Sequence, residues 1–587
     1  MRVLETLNRI FFAMALVLCG AACAHHMVNK SKNASGKIQK IAYSNDMKSD
    51  PDQTAAEEKN AHAVKGAGMF YRVTLAAVAA VGLFIRLWQF GRVPGGFNQD
   101  GAMAAVDGLA LGSYATDRFG TFMPAHLYAW GDGQMSALLS YMIAPLTVLF
   151  GLNPITARLP LLFASVCGAV FFYIFIKDLF GKKTALAAAA VVAINPWHFV
   201  QSRWALDCNL FPHFFMGGIC FLNKGLMKKR RYLFISMVFF GLCMYCYGIA
   251  LYTVPLFLLM AAAYYCIKKR LKLTDVFISA GIYLLIAWPF LLTMAVNFFK
   301  WDTIRLPFVT IQYFPASVRS RDILFFSEQP LRQMLFNIKF FLYATLLQKR
   351  DLPWNDIEGF GTMYLFSMPF AALGVYRLIK SKTDSPRGLI CIALIMGFAA
   401  GLFTNRVNVN RINIIYYFIM ALLVLGIDFV LTEIKQTRVV LIGMYAVIGV
   451  LMVNTYFTSA NDMIAREFYD GFGQALAYAQ DSGAERIYVT ADTQGKGTVA
   501  VSEILTLFYD KTDAKYFQGE TNINHGKKCL PYRERFKYVS MTPDTEEETM
   551  NEDAAYLILV SDLEFFDEEK YDVQTFHQYC ALVKKYT

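Results

Sequence analysis

Charge is scarce in this sequence. Asp, Glu, Lys and Arg make up 17% of its 587 residues, against 56% hydrophobic residues, and the mean hydropathy is +0.37. A chain so poor in charge and so rich in long apolar runs reads as a polytopic helical membrane protein. Other absences narrow the function. There is no HExxH or HxxxH, so a zinc hydrolase has no support. Gly495-Lys496-Gly497-Thr498 lacks the spacing of a phosphate-binding P-loop. Cys243 and Cys246 form a CxxC without a second pair, inside a hydrophobic run, which argues against a metal site there. The 11 cysteines lie mostly in apolar runs, as small packing residues. Cys529 and Cys580 lie in the polar C-terminal region, where they can pair if that region is outside.

The charge that is present is informative. The net charge of +11 comes from basic residues clustered in short loops between apolar runs, which fits the positive-inside rule better than nucleic-acid binding. The basic loops are Lys177–Lys183, Lys228–Arg231, Lys268–Arg270, Arg377–Arg387 and Glu433–Arg438. All fall on one side only if Gln134–Phe150, interrupted by Pro145, does not cross the bilayer. That segment is therefore expected to be a juxtamembrane or re-entrant helix. The expected fold is mainly α, with about 11 spans between Met69 and Tyr456. Asp100, Asp207, the loop Asn297–Phe360 and the C-terminal region are all expected to be extracytoplasmic. The 50 Phe and 32 Tyr suit lipid-facing helices and interfacial belts.

Three regions follow. Residues 1–68 hold a short apolar segment, Ile10–Ala24, and a lysine-rich polar tail expected to be disordered and cytoplasmic. With the tail inside, Ile10–Ala24 either spans with its N-terminus outside or does not span; cleavage as a signal peptide ranks lower. Residues 69–456 form the membrane domain. Residues 457–587 turn polar, with expected helices at Phe468–Asp481 and Val499–Tyr509 and strands at Arg486–Thr490, Phe536–Met541 and Tyr556–Val560. They are expected to form a small extracytoplasmic α/β domain, a three-layer sandwich.

Several residues can carry chemistry. Asp100, in Phe97-Asn98-Gln99-Asp100, opens a polar loop just after the first clear span. There a carboxylate can act as general base toward an acceptor hydroxyl; its plain alternative is a helix-cap Asp. Asp117-Arg118 shares the loop and reads equally well as a solvated turn. Asp207 follows Arg203 by four residues; on a helix these form an i,i+4 pair, yet interfacial charges are often functional. His198 follows Pro196-Trp197 and reads as an interfacial residue more readily than as a ligand. Arg411 suits phosphate through charge-assisted hydrogen bonds, or anchors a helix by snorkelling. Trp354 and Asn355 suit sugar stacking and hydroxyl bonding.

Taken together, Phe97-Asn98-Gln99-Asp100, Thr116-Asp117-Arg118-Phe119-Gly120, Arg158-Leu159-Pro160, Pro196-Trp197-His198 and Ser202–Asp207 resemble the GT-C glycosyltransferases. The likeness is to the bacterial branch related to protein O-mannosyltransferases and lipid A aminoarabinose transferases, glycosyltransferase family 39. It covers about residues 69–456. It implies an inverting transferase that moves a sugar from a polyprenyl-phosphate donor to an extracytoplasmic acceptor. In that reading Asp100 and Asp207 are catalytic, Arg203 and Arg411 bind the donor phosphate, and Asp117, His198, Trp354 and Asn355 contact substrate. Whether a divalent cation takes part is left open, because no ligand set is legible. The family often has Asp-Glu where this chain has Asp100-Gly101. The competing reading is a transporter or flippase of a lipid-linked glycan, which predicts polar mid-membrane residues and an internal repeat; neither is evident.

Overall fold

A computed structural model describes residues 2–39, 53–131, 133–315, 329–349, 351–380, 384–404, 407–492 and 499–585. Among them, seven helical segments are long and apolar enough to cross a membrane: Val3–Lys30, Gly68–Leu87, Pro154–Phe180, Ala250–Ile267, Leu273–Phe299, Asn413–Glu433 and Thr437–Glu467. The remaining segments of the expected eleven are also helical, and their apolar stretches, such as Arg231–Cys243 and Gly388–Leu402, are shorter than these seven. The chain is a helical membrane protein with a small C-terminal sheet domain.

The helix α1 (Arg2–Gln39) runs past the expected apolar segment, and α2 (Gln53–Leu87) begins well before Met69. The tail expected to be disordered is thus helical on both flanks, while residues 40–52 lie outside the described residues. Near its start α1 reaches the loop before α13 (Met368–Lys380), where Asn8 donates to the Gly359 carbonyl at 2.7 Å. Farther along, His25 and His26 contact the Glu433 carboxylate at 3.1 and 2.8 Å. α1 therefore connects the end of the bundle that holds Gly359 with the end that holds Glu433.

The first loop contains α3 (Gln99–Tyr114) and α4 (Leu138–Phe150). At about 1.5 Å per residue, the 13 residues of α4 reach about 20 Å, short of a 30 Å hydrocarbon core. Instead α4 lies along α3. A Cβ on Gly108 would sit 2.8 Å from Ile143, and one on Gly112 would sit 2.7 Å from the Ala144 carbonyl. The two glycines let the helices touch backbone to backbone. Asn153 then caps α5 (Pro154–Phe180), accepting from Ile155 N and Thr156 N, with Pro154 in the first turn.

Next come α6 (Lys182–Ile194), α7 (Pro196–Gln201), α8 (Phe211–Met227), α9 (Arg231–Cys243), α10 (Ala250–Ile267), α11 (Leu273–Phe299) and α12 (Pro330–Thr345). The bundle closes with α13 (Met368–Lys380), α14 (Asp384–Leu402), α15 (Tyr416–Glu433) and α16 (Thr437–Thr455). α15 is the axis of the core and is buried along nearly its whole length. It crosses α13 at Gly374 and Gly426, where a Cβ would lie 1.8 Å from the Leu422 and Phe370 carbonyls respectively. Small residues at a crossing permit this approach, and dispersion then holds the pair where lipid offers no hydrophobic drive.

The last span does not stop at Tyr456. It continues through a π-turn at Tyr456–Ala460 into α17 (Asn461–Glu467). Tyr469 (φ +57°) and Gly471 (φ +96°) then break the helix, so α18 is Phe472–Asp481 rather than the Phe468–Asp481 expected from pattern. The sheet comprises β1 (Arg486–Thr490), β2 (Phe536–Val539), β3 (Ala554–Leu559), β4 (Tyr571–Phe576) and β5 (Tyr579–Lys584) in the order β4-β5-β3-β1-β2, with α19 (Val499–Tyr509) following β1. β1 is parallel to both β2 and β3, and the C-terminal hairpin is antiparallel. α18 and α19 share one face with Ile487, Val489 and Leu557. The opposite face carries Tyr488, Tyr556, Phe566 and Tyr571, covered by short turns, so the domain is nearer two layers than three. Cys529 and Cys580 are both free thiols, not a disulfide. The expected non-P-loop segment Gly495–Thr498 lies outside the described residues.

Candidate active site

Asp100 stands in the first turn of α3, where the helix dipole favours a carboxylate. Asn98 caps that turn, its side-chain oxygen accepting from Asp100 N at 2.9 Å. The Trp130 indole donates to Asp100 Oδ1 at 2.6 Å. Asp100 is half-buried, whereas Asp107 and Asp117 on the same loop are buried. Those two acids have other partners. Asp107 pairs with Arg118 at 2.6 Å and also accepts from Arg118 N at 2.9 Å. Asp117 accepts from Phe119 N and Thr121 N at 3.0 and 2.8 Å, closing a turn, and burial pushes its carboxyl up. Arg118 also donates to the Ala129 carbonyl at 2.8 Å, which fixes the backbone next to Trp130. The buried pair Asp107–Arg118 thus holds the residue that holds Asp100.

The stretch before Asp100 is fixed from two directions. Phe97 N donates to the Phe468 carbonyl at 2.6 Å, and Gly96 N donates to Asp470 Oδ1 at 3.1 Å. A Cβ on Gly96 (φ +65°) would lie 2.2 Å from that same Phe468 carbonyl, so glycine is needed there. Arg158 donates to the Gly96 carbonyl at 2.9 Å and lies over the Phe97 ring. On the far side Phe97 stacks on Phe508, with ring centroids 4.2 Å apart. Tyr469 sits close enough to feel Asp100. Its hydroxyl is pushed up to about 12, by burial first and then by the charges of Asp100 and Glu467. The phenol therefore keeps its proton at neutral pH.

Arg203 and Asp207 are not an i,i+4 pair. α7 ends at Gln201, and Asp207 opens a separate 3-10 turn. Arg203 is fully buried and donates to four carbonyls, Ile85, Arg86, Trp88 and Val93, at 2.6–3.1 Å. Ile85, Arg86 and Trp88 supply orphan acceptors at the C-terminal end of α2 and Val93 lies in the turn beyond it, so the guanidinium caps that helix. The rings of Tyr456 and Phe457 pack on it. Asp207 is buried, accepts from Cys208 N at 2.6 Å, and faces Ser136 N at 3.4 Å. His198 is buried deeper, between Arg86 Nη2 at 2.9 Å and the Tyr417 hydroxyl at 3.0 Å. It ties α2 to α15 inside the bundle.

Arg411 is partly exposed on the turn Val409–Ile415, with Nη1 on Thr404 Oγ1 at 2.7 Å. That turn abuts the Asp207 turn, since Asn413 donates to the Cys208 carbonyl at 2.7 Å. It also receives the loop that carries Trp354, because Val409 N donates to Asp351 Oδ2 at 2.9 Å. Asn355 is buried and donates to that same carboxylate at 2.8 Å, so it shapes the loop from within. Trp354 is half-buried, 5.9 Å from the Phe468 ring, which Trp204 approaches from another side at 5.3 Å. Asp100, the Asp207 turn, Trp354 and the Arg411 turn thus converge around Phe468 and Tyr469, the first residues after the last span.

Residues 135–293 match the family model of dolichyl-phosphate-mannose-protein mannosyltransferases. The solved structure of ArnT from Cupriavidus metallidurans bound to undecaprenyl phosphate is similar to this chain with a TM-score of 0.51 at 12% identity, over 87% of this chain and 97% of that one. The chain has the GT-C glycosyltransferase fold. The archaeal oligosaccharyltransferase AglB from Archaeoglobus fulgidus, in complex with an inhibitory peptide and a dolichol-phosphate, is also similar, with a TM-score of 0.46 and 12% identity over 73% of this chain and 64% of that one. No curated protein sequence matches. The GT-C resemblance drawn from the motifs therefore holds at the level of fold.

Within this GT-C fold the departure at Gly101 has a physical cause. A Cβ there would lie 2.7 Å from the Ala205 carbonyl oxygen and 3.2 Å from Phe97. The Ser202–Asp207 segment packs where a second acid would stand. Among the described residues no group of three or more His, Cys, Asp or Glu comes together, so no step is assigned to a cation. Sequence reasoning missed Trp130, Phe468 and Tyr469. The first lies among the aromatics of an unpatterned loop, and the others lie at a domain boundary that carries no motif.

Proposed function

We propose that this chain is a membrane glycosyltransferase that moves a sugar from a polyprenyl-phosphate carrier to a hydroxyl of an extracytoplasmic acceptor. One observation carries the reading. Asp100 is half-exposed at a helix N-terminus, held by Asn98 and Trp130, in the fold of a protein solved with undecaprenyl phosphate. The acceptor oxygen attacks the anomeric carbon as the bond from that carbon to the phosphate oxygen breaks. The acceptor proton passes to the Asp100 carboxylate. Polyprenyl phosphate leaves as an anion of low basicity, so its side needs no strong acid. This single displacement inverts the anomeric centre.

Phosphate charge grows during the step, which favours a preplaced cation. Arg411 is the arginine for that role, since its guanidinium is partly exposed, whereas Arg203 caps α2. Asp207 orients the turn against which the Arg411 segment packs. Trp354 offers a ring to the sugar.

The test supplies the purified full chain with a panel of radiolabelled polyprenyl-phosphate sugars and follows transfer. One or more donors are expected to turn over with inversion. Asp100→Asn should lower the rate on the order of a hundred- to ten-thousand-fold, the usual worth of a general base. Arg411→Ala should raise the KM for the donor. A folded Asp100→Asn protein with a near wild-type rate, or a product that retains the donor's configuration, would overturn the mechanism.

A further inference from the structure

After α11 the chain turns back on itself. The strands Ile304–Arg305 and Thr310–Ile311 pair antiparallel, with Ile304 opposite Ile311 and Arg305 opposite Thr310. Leu306 N donates to the Val309 carbonyl at 3.0 Å, which leaves Pro307-Phe308 as a two-residue tip. This hairpin folds down along α11. Ile304, Val309 and Ile311 share an apolar cluster with Trp288, Leu292 and Val296 of the helix. The Phe308 ring lies 6.2 Å from that of Trp288, yet Phe308 is 64% exposed.

Trp288 gives the depth of that tip. At i+3 and i+4 it continues the face of α11 that carries Leu285 and Leu284, 72% and 50% exposed. On a helix long and apolar enough to cross the bilayer, such leucines face acyl chains. α11 begins at Leu273, directly after Lys268, Lys269, Arg270 and Lys272, whose charges keep its start at one polar border. A hydrocarbon core of about 30 Å takes about 20 residues of helix, so the other border falls near Leu292. Trp288 stops about four residues short of it, ~6 Å inside the core. A border placed later in the helix, or a tilted helix, carries Trp288 farther in. Beyond Leu292 stand Phe298, Phe299 and Trp301, 78%, 58% and 49% exposed, at the level where aromatic side chains gather among headgroups.

We infer that residues 304–311 form a membrane anchor whose tip carries the Phe308 ring among the upper acyl chains of the bilayer. About 5–10 Å is the ordinary depth of an interfacial apolar element. The backbone tolerates this depth. Pro307 has no N–H to leave unpaired. The strand Thr310–Ile311 has partners on both edges, since Thr310 N also donates to the Met123 carbonyl at 3.0 Å and Ala125 N donates to the Thr310 carbonyl at 2.9 Å. Arg305 is exposed on the outer strand, and its long side chain reaches back to the headgroups. Through Met123 and Ala125 the anchor sets the height of the first loop over the bilayer, with Trp130 five residues beyond Ala125.

Photocrosslinking of the full chain in phosphatidylcholine nanodiscs tests this. The photoreactive p-benzoylphenylalanine is placed in turn at Phe308, at Leu285 on the lipid-facing side of α11, and at Ile523, 51% exposed on the C-terminal domain. Ester hydrolysis after irradiation leaves a fatty acid on the peptide where an acyl chain reacted, and glycerophosphocholine where a headgroup reacted; mass spectrometry tells them apart. Phe308 and Leu285 should both carry fatty acid, on the order of tenfold or more above Ile523. A Phe308 adduct of glycerophosphocholine alone would put the tip in the headgroup layer and overturn the insertion. A Phe308 crosslink to a second protein chain, or none while Leu285 reacts, would overturn the anchor. Fatty acid on Ile523 at the yield of Phe308, or none on Leu285, would overturn the depth assigned to Trp288.

Discussion

At the residue scale, the candidate base accepts a hydrogen bond from an indole. Trp130→Phe keeps a ring of similar breadth and removes only the N–H that reaches Asp100. A hydrogen bond to a charged group is worth about 1.5–3 kcal/mol. The expected outcome is a kcat about ten- to a hundredfold lower at a nearly unchanged donor KM, read from steady-state kinetics; a parallel change in KM would place Trp130 in binding instead. Gly101 makes a second residue-scale prediction. Gly101→Ala drives a methyl against the Ala205 carbonyl. Overpacking of this kind costs about 1–3 kcal/mol, so the melting temperature should fall while expression persists. An unchanged melting temperature would mean the Ser202–Asp207 segment yields freely.

At the element scale, the membrane helices were legible because long apolar runs have few other readings. The charge of distant loops makes Gln134–Phe150 an expected juxtamembrane or re-entrant helix, and its residues Leu138–Phe150 form a 13-residue helix lying on α3. Sidedness gives the corresponding prediction. In intact cells, a cysteine near residue 500 should react with an impermeant thiol reagent, and one at Lys229 should not; the reverse pattern would invert the topology. What stayed illegible depended on contacts distant in sequence. Arg203 and Asp207 looked like a helical pair because spacing cannot reveal that α7 ends at Gln201. The hairpin of β4 and β5 went unread because its two-residue turn, His577-Gln578, has none of the Asn-Gly chemistry that marks such turns. Tyr469 escaped because its importance comes from a left-handed backbone and a neighbour more than three hundred residues away.

At the scale of the whole molecule, the two ends of the catalytic fold are sewn together. The chain enters its first loop at Phe97 and leaves its last span at Phe468, and one amide-to-carbonyl bond joins them. Three aromatic rings, Phe508, Trp204 and Trp354, pack around that junction. The C-terminal domain therefore differs from a passenger on a tether. A gene cut after Glu467 would still encode every span, would still insert, and would look intact by topology, yet would leave the loop of Asp100 without its far support. For anyone dividing this protein into parts, the seam lies in a different place from the one composition suggests: the soluble-looking last fifth of the chain is the back wall of the candidate site.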